Sequence, residues 1–182
     1  DDDDDGDDKR PTPDERFEHA SRVCGEECLS ILTNIVESQL PARQFVEEAL
    51  LARHSVDPSG EIICLTSGGL PWKSHLFNLE RQHCIGHTGD DVSTDKHKLS
   101  IKYVLYTDQG GMWRIQCVSE ENAGFTNRLG LPVHWRGVRD EDLSRVSEIE
   151  GCTFCHAAGF IGGNATFEGV LEMARVALAQ PR

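Results

Sequence analysis

An α+β fold is predicted, with a small mixed sheet of about four or five strands packed with helices, not a regular doubly wound sheet. Three observations predict it. Helical and strand periodicities follow one another irregularly, as helix, helix, strand, helix, hairpin, helix, strand, helix. The stretch Asp108–Gly111, with two glycines, joins two alternating runs and reads as a hairpin. The 182 residues are 38% hydrophobic, enough for one domain with a core of its own.

In chain order, Phe17, Ala20, Val23, Cys24, Ile31, Leu32 and Ile35 recur at helical spacing. Asp14 is the expected cap, with Pro13 before it. The helix should stop before Leu40–Pro41, because a residue preceding proline avoids helical angles. Pro41 then suits the first turn of a second helix over 41–53, with Ala42, Phe45, Val46, Ala49 and Leu50 inward. Residues 57–60 (Asp-Pro-Ser-Gly) form a turn, and 61–66 a short strand. A short helix over 72–81 follows Pro71. Residues 82–98 lack periodicity and read as a mobile surface loop. The hairpin strands are 100–106 and 112–118. Residues 122–137 are irregular, and 139–149 form a helix with Leu143 and Val146 inward. Residues 153–155 read as a strand, and 159–164 as a glycine-rich turn. A final amphipathic helix presents Phe167, Val170, Leu171, Ala174 and Leu178, with Thr166 near its start.

Eighteen basic residues stand against 31 acidic ones, a formal net charge of -13. Residues 1–16 carry nine acids and three bases. Residues 1–13 are expected to be a disordered acidic tail or insert, and 14–182 the folded domain. A generally basic nucleic-acid surface is excluded, so any polyanion contact must come from a local patch, a metal ion or another part of the protein. No run approaches a membrane span, and no signal segment opens the chain. The chain does not begin with Met, and a longer parent protein is expected. Seven cysteines at irregular spacing make a poor disulfide framework, and buried free thiols in a reducing compartment are the simpler reading.

The most informative stretch is 156–164, His-Ala-Ala-Gly-Phe-Ile-Gly-Gly-Asn, between a strand and a helix. Glycine backbones allow a ligand to approach closely, and a helix N-terminus offers free N–H groups to an anion. His156 adds a donor. The alternative is a tight turn with a satisfied histidine. Cys152-Thr-Phe-Cys155-His156 has the spacing of a haem attachment, and Cys-x-x-Cys also suits zinc. Zinc would need a second pair, for which Cys84 and His87 are the candidates. Strand alternation would put Cys152 and Cys155 on opposite faces, which favours buried thiols. His75, His83, His87 and His97 read as solvated loop residues more readily than as a metal cluster. Trp72–Lys73 and Trp135–Arg136 each pair a ring with a cation. They could stack a base and touch a phosphate, or cover the sheet edge.

Several blocks resemble the Myg-one (melanocyte-proliferating gene) family: 40–50 (Leu-Pro-Ala-Arg-Gln-Phe-Val-Glu-Glu-Ala-Leu), 56–62 (Val-Asp-Pro-Ser-Gly-Glu-Ile), 71–76, 113–118, 131–137 and 156–164. The likeness runs from about Phe17 to Gln180. That family belongs to the Asp-His-His (DHH) phosphoesterase superfamily, and this chain resembles its C-terminal domain. The resemblance implies a metal-dependent exonuclease degrading RNA from the 3′ end, in mitochondrion and nucleus. It implies a divalent ion, manganese or magnesium, in an N-terminal DHH domain whose Asp-His-His run this sequence lacks. No metal is expected on this chain, and no catalytic residue. The substrate-binding residues implied are His156, Gly159, Gly162, Gly163 and Asn164, with Arg136 and Trp135 beside them. RNA and the chain's own N-terminal DHH domain are the expected partners, with a homo-oligomer possible and no membrane. The competing readings are a non-catalytic interaction module with an acidic tail, a zinc or haem protein, and a metal-dependent protein hydrolase, as older descriptions of the family have it.

Overall fold

The structure, a computed structural model, describes residues 10–85, 100–121, 123–124 and 126–180. Most of the expected acidic tail and of the 82–98 loop lies outside these residues. The chain divides into two compact units, Asp1–Leu40 and Pro41–Arg182.

The first unit is helical. Helix α1 (Pro13–Asn34) is capped by Thr12 and not by Asp14. The Thr12 hydroxyl accepts from Glu15 N, and the Glu15 carboxylate accepts from Thr12 N at 2.7 Å. This reciprocal pair satisfies two otherwise orphaned donors, with Pro13 at the position where its missing N–H costs nothing. None of the α1 residues is buried. The expected stop before Pro41 does not occur. A π turn, Ile35–Gln39, follows instead, with Leu40 N–H bonded to Ile35 O five residues back. One wide turn of this kind shifts the hydrogen-bond ladder locally, in place of the break that the proline predicts.

The second unit begins with α2 (Leu40–Leu51) from Pro41 onward, and α3 (Arg53–Val56). Five strands follow, interleaved with helices: β1 (Ile62–Leu65), α4 (Lys73–Gln82), β2 (Tyr103–Thr107), β3 (Trp113–Cys117), α5 (Asp140–Ser147), β4 (Cys152–Cys155), β5 (Ile161–Asn164) and α6 (Phe167–Leu178). The sheet order is β1-β2-β3-β5-β4. Only β1 and β2 are parallel, and the remaining neighbours are antiparallel. The mixed α+β architecture is the predicted one.

Period-two alternation divides the sheet into two faces. Ile62, Tyr103, Leu105, Ile115 and Cys117 join α5, α6 and Trp135 in the larger core. Ile63, Leu65 and Val104 join α2 and α4 in the smaller one. The outer edge of β4 is stitched to the chain before α5, since Gly137 N donates to Cys155 O and Cys155 N to Val138 O, both at 3.0 Å. Among the described residues, no helix is long and apolar enough to cross a membrane.

Two local readings are corrected. Residues 161–164 are not an open turn but the strand β5, paired on both sides. A bulge between Cys152 and Phe154 breaks the alternation of β4. One extra residue in a strand shifts everything beyond it to the other face. Cys152 and Cys155 therefore share the larger core instead of facing opposite ways.

Candidate substrate pocket at the β4–β5 turn

Strands β4 and β5 are joined by a tight turn. His156 N donates to Ile161 O at 2.9 Å, and Gly159 N to His156 O at 2.8 Å. Gly159 sits at φ +67°, where a side chain is strained, and a methyl group there would collide with the Arg136 side chain. His156 is exposed, with its ring 4.6 Å from the Phe160 ring. Its Nδ1 accepts from Ala158 N at 3.0 Å. A backbone N–H can only donate, so the neutral ring carries its proton on Nε2, leaving that nitrogen for a ligand.

Beside this turn lies a cavity of about 390 Å³. Its wall is Lys73 at the start of α4, Gln116 and Cys117 of β3, Ser119, Gly124 and Asn127, and His156, Ala158 and Phe160 of the turn. The combination is an apolar floor with a lysine, an imidazole, a hydroxyl and an amide around it. That chemistry suits a phosphate or a nucleotide, with Lys73 supplying a charge-assisted donor and His156 Nε2 a neutral one. The Cys117 thiol takes no ionised part in it. Burial pushes its pKa up to about 12, and Sγ donates to Gly159 O at 3.4 Å. Burial likewise lifts Cys155 to about 11, against the opposing pull of Arg136.

The loop forming one side of the cavity is tied down from beneath. Arg128 sends Nη1 and Nη2 to the two carboxylate oxygens of Glu80, each at 2.8 Å, and Nη1 also to Ile101 O at 3.0 Å. Its guanidinium lies 5.3 Å from the Phe77 ring. Glu80 also accepts from Ile101 N at 2.9 Å. The side chains are 9% and 5% exposed, so the pair is a buried one. This anchor joins residues 48 apart in sequence, and no local pattern pointed to it.

The residues expected at the site have separate fates. His156 lines the cavity, and Gly159 shapes the turn. Gly162 and Gly163 lie within β5, where their backbones belong to two ladders and present no free cradle. Asn164 is fully buried, with Nδ2 donating to Glu150 O at 2.8 Å and Oδ1 accepting from Thr166 N at 2.9 Å. It clasps β5 to the segment before β4, and its side chain has no surface left for a substrate. The α6 N-terminus is occupied too, since Thr166 Oγ1 accepts from Gly169 N at 3.0 Å. Trp135 is fully buried in the larger core and cannot stack a base. Trp72, 4% exposed, belongs to the smaller core. Arg136 is exposed, and its Nε donates to Leu131 O at 3.0 Å. It braces the back of the turn over Gly159 and does not line the cavity. Lys73, expected with Trp72 as a possible phosphate contact, does line this cavity, while sequence reasoning missed Ser119 and Asn127.

Among the described residues, no group of three or more His, Cys, Asp or Glu is placed to hold a metal ion. Cys152 and Cys155 are free, buried thiols and Cys84 is exposed, while His87 lies outside the described residues.

Comparison with known proteins gives the class. Residues 2–178 match the family model described as "Uncharacterised protein family (UPF0160)", the MYG1 exonuclease model. The human MYG1 exonuclease is 51% identical over 164 residues, covering 90% of this chain and 40% of the relative. The mouse MYG1 exonuclease is 50% identical over the same length. The Dictyostelium discoideum MYG1 protein is 46% identical over 165 residues, covering 91% of this chain and 46% of its own length. This chain belongs to the MYG1 exonuclease family, and it spans about 40% of the length of its curated mammalian relatives. No solved structure matches it.

Proposed function

We propose that this chain is the substrate-binding portion of a metal-dependent exonuclease that shortens RNA from its 3′ end. The cavity at the β4–β5 turn is the observation that carries this reading. In it, Lys73 and His156 hold the terminal phosphate, Ser119 and Asn127 orient the sugar, and Phe160 packs against the base. The family's name in mouse and human supports the exonuclease class. The RNA substrate, the 3′-to-5′ direction, the manganese or magnesium ion and work in mitochondrion and nucleus rest on the family resemblance. The divalent ion would activate water and would be held by an N-terminal DHH domain, which is the chain's first partner. This chain's own residues bind and orient the strand.

The test is incubation of the pure chain with end-labelled RNA in manganese or magnesium at low salt. Retarded but intact RNA is expected. Cleavage by this chain alone would put the chemistry here and contradict the division of labour. An absence of binding would leave the chain as an interaction module.

A further inference from the structure

Among the described residues, the smaller core covers only part of its face of the sheet. It draws on β1 and β2, and contains no residue of β4 or β5. Beyond Tyr106 of β2, which packs against that core, this face carries Arg114, Gln116, Thr153, Phe154 and Ile161, all half-buried. Arg114 lies over the Phe154 ring, 5.0 Å from its centroid, and pairs with Asp108. Gly163 is what permits this. A methyl group there would collide with Arg114 Nη1, and would stand 2.6 Å from Thr153 Oγ1 and 3.1 Å from the Phe154 ring. The result is a flat strip in which an ion pair holds a guanidinium against an aromatic ring. The strip adjoins the cavity through Gln116, which lines the cavity and accepts from the Tyr106 hydroxyl at 2.9 Å.

We propose that this open half of the sheet is a base-stacking platform for single-stranded RNA, carrying the nucleotides upstream of the one in the His156 cavity. The inference rests on the reading of that cavity given above. Planar aromatic and guanidinium surfaces accept any base through its π-face, so the contact is tolerant of sequence. Asp108 fixes Arg114 in place before the ligand arrives, which lowers the ordering cost of binding. In a chain of formal net charge -13, the cavity has the cation Lys73 in its wall, and the adjoining strip carries Arg114, whose charge is paired with Asp108. An RNA strand fits that local exception better than an acidic protein surface does.

The test compares hexauridylate with uridine monophosphate as ligands of the intact chain. Phe154→Leu should weaken hexamer binding about fivefold or more, the scale of one lost stacking contact, and leave the monophosphate unchanged. Lys73→Ala with His156→Ala should weaken both ligands. Ultraviolet cross-linking of the unaltered chain to the hexamer, mapped by mass spectrometry, should mark Phe154 or Tyr106, so the result does not depend on the variant folding. Equal hexamer affinity in Phe154→Leu, with cross-links only around His156, overturns the platform and leaves the cavity reading intact. Failure of the unaltered chain to bind either ligand overturns both. Cross-links absent from this face together with capture of a protein there would assign it to a protein partner and also overturn the proposal.

Discussion

Replacing Arg128 by methionine should destabilise the second unit by about 3–5 kcal/mol, the cost of leaving one member of a buried ion pair without its partner. The geometry places the case at that end of the range. The guanidinium makes hydrogen bonds of 2.8, 2.8 and 3.0 Å, and both side chains are more than nine-tenths buried. Methionine keeps most of the volume against Phe77, so the loss is chiefly that of the charge and its three bonds. Urea unfolding followed by circular dichroism measures it, and the melting temperature should fall by roughly 6–20 °C. The double variant Arg128→Met with Glu80→Gln separates the causes. Glutamine still accepts from Ile101 N but leaves no lone carboxylate. The double variant should therefore be more stable than Arg128→Met alone. A single-variant loss below about 1 kcal/mol, the range of an exposed surface pair, would refute the idea that this pair anchors the cavity wall.

Gly163→Ala should cost about 1–3 kcal/mol in urea unfolding, because the new methyl must displace Arg114 and Thr153; a neutral effect would mean the strip is loosely packed. Alkylation followed by mass spectrometry at about pH 8 should label the exposed Cys24, Cys28 and Cys84 first and spare Cys117 and Cys155, whose thiols are buried and protonated; rapid labelling of Cys117 would contradict its burial. At Asp57, burial would raise the carboxyl, but hydrogen bonds from Arg175 and Ser59 outweigh it and hold the group below its ordinary range. Its contribution to stability is therefore fully present above the unfolded value of about 3.9 and is lost as pH falls through the lower folded value. Asp57→Asn should remove that part of the acid dependence, and an unchanged acid profile would show that the pair with Arg175 contributes none of it.

The alternating and helical runs made most elements legible, including the Asp108–Gly111 hairpin and α6 with its Thr166 cap. Strand β5 was not, because Gly162 and Gly163 have low strand propensity and no side chains to show alternation. Their presence is explained only by what crosses them: Met173 and Leu131 crowd Gly162, and Arg114 covers Gly163. The same blindness made the glycines look like a phosphate cradle. Trp135 looked exposed because Arg136 follows it, yet the short turn Val133–Trp135 directs the ring inward and the guanidinium outward. The bulge in β4 carries no residue signature in Cys-Thr-Phe-Cys. His156 was legible as a functional candidate from its setting between glycines. Lys73 was legible only as a cation beside Trp72, and Ser119 and Asn127 not at all, since only the sheet brings α4 and the loop after β3 to the β4–β5 turn.

If the cavity at the β4–β5 turn binds the end of an RNA strand, the anisotropy of a labelled RNA hexamer should report it. Low salt, about 20 mM, is the condition of choice, because phosphate contacts are strongest there. The unaltered chain is compared with Lys73→Ala/His156→Ala, two exposed positions whose replacement leaves the core intact. Measurable binding is expected, lost in the double variant while its circular dichroism spectrum is kept. Equal binding by both proteins would contradict the role given to Lys73 and His156, and with it the cavity as the seat of the strand's end.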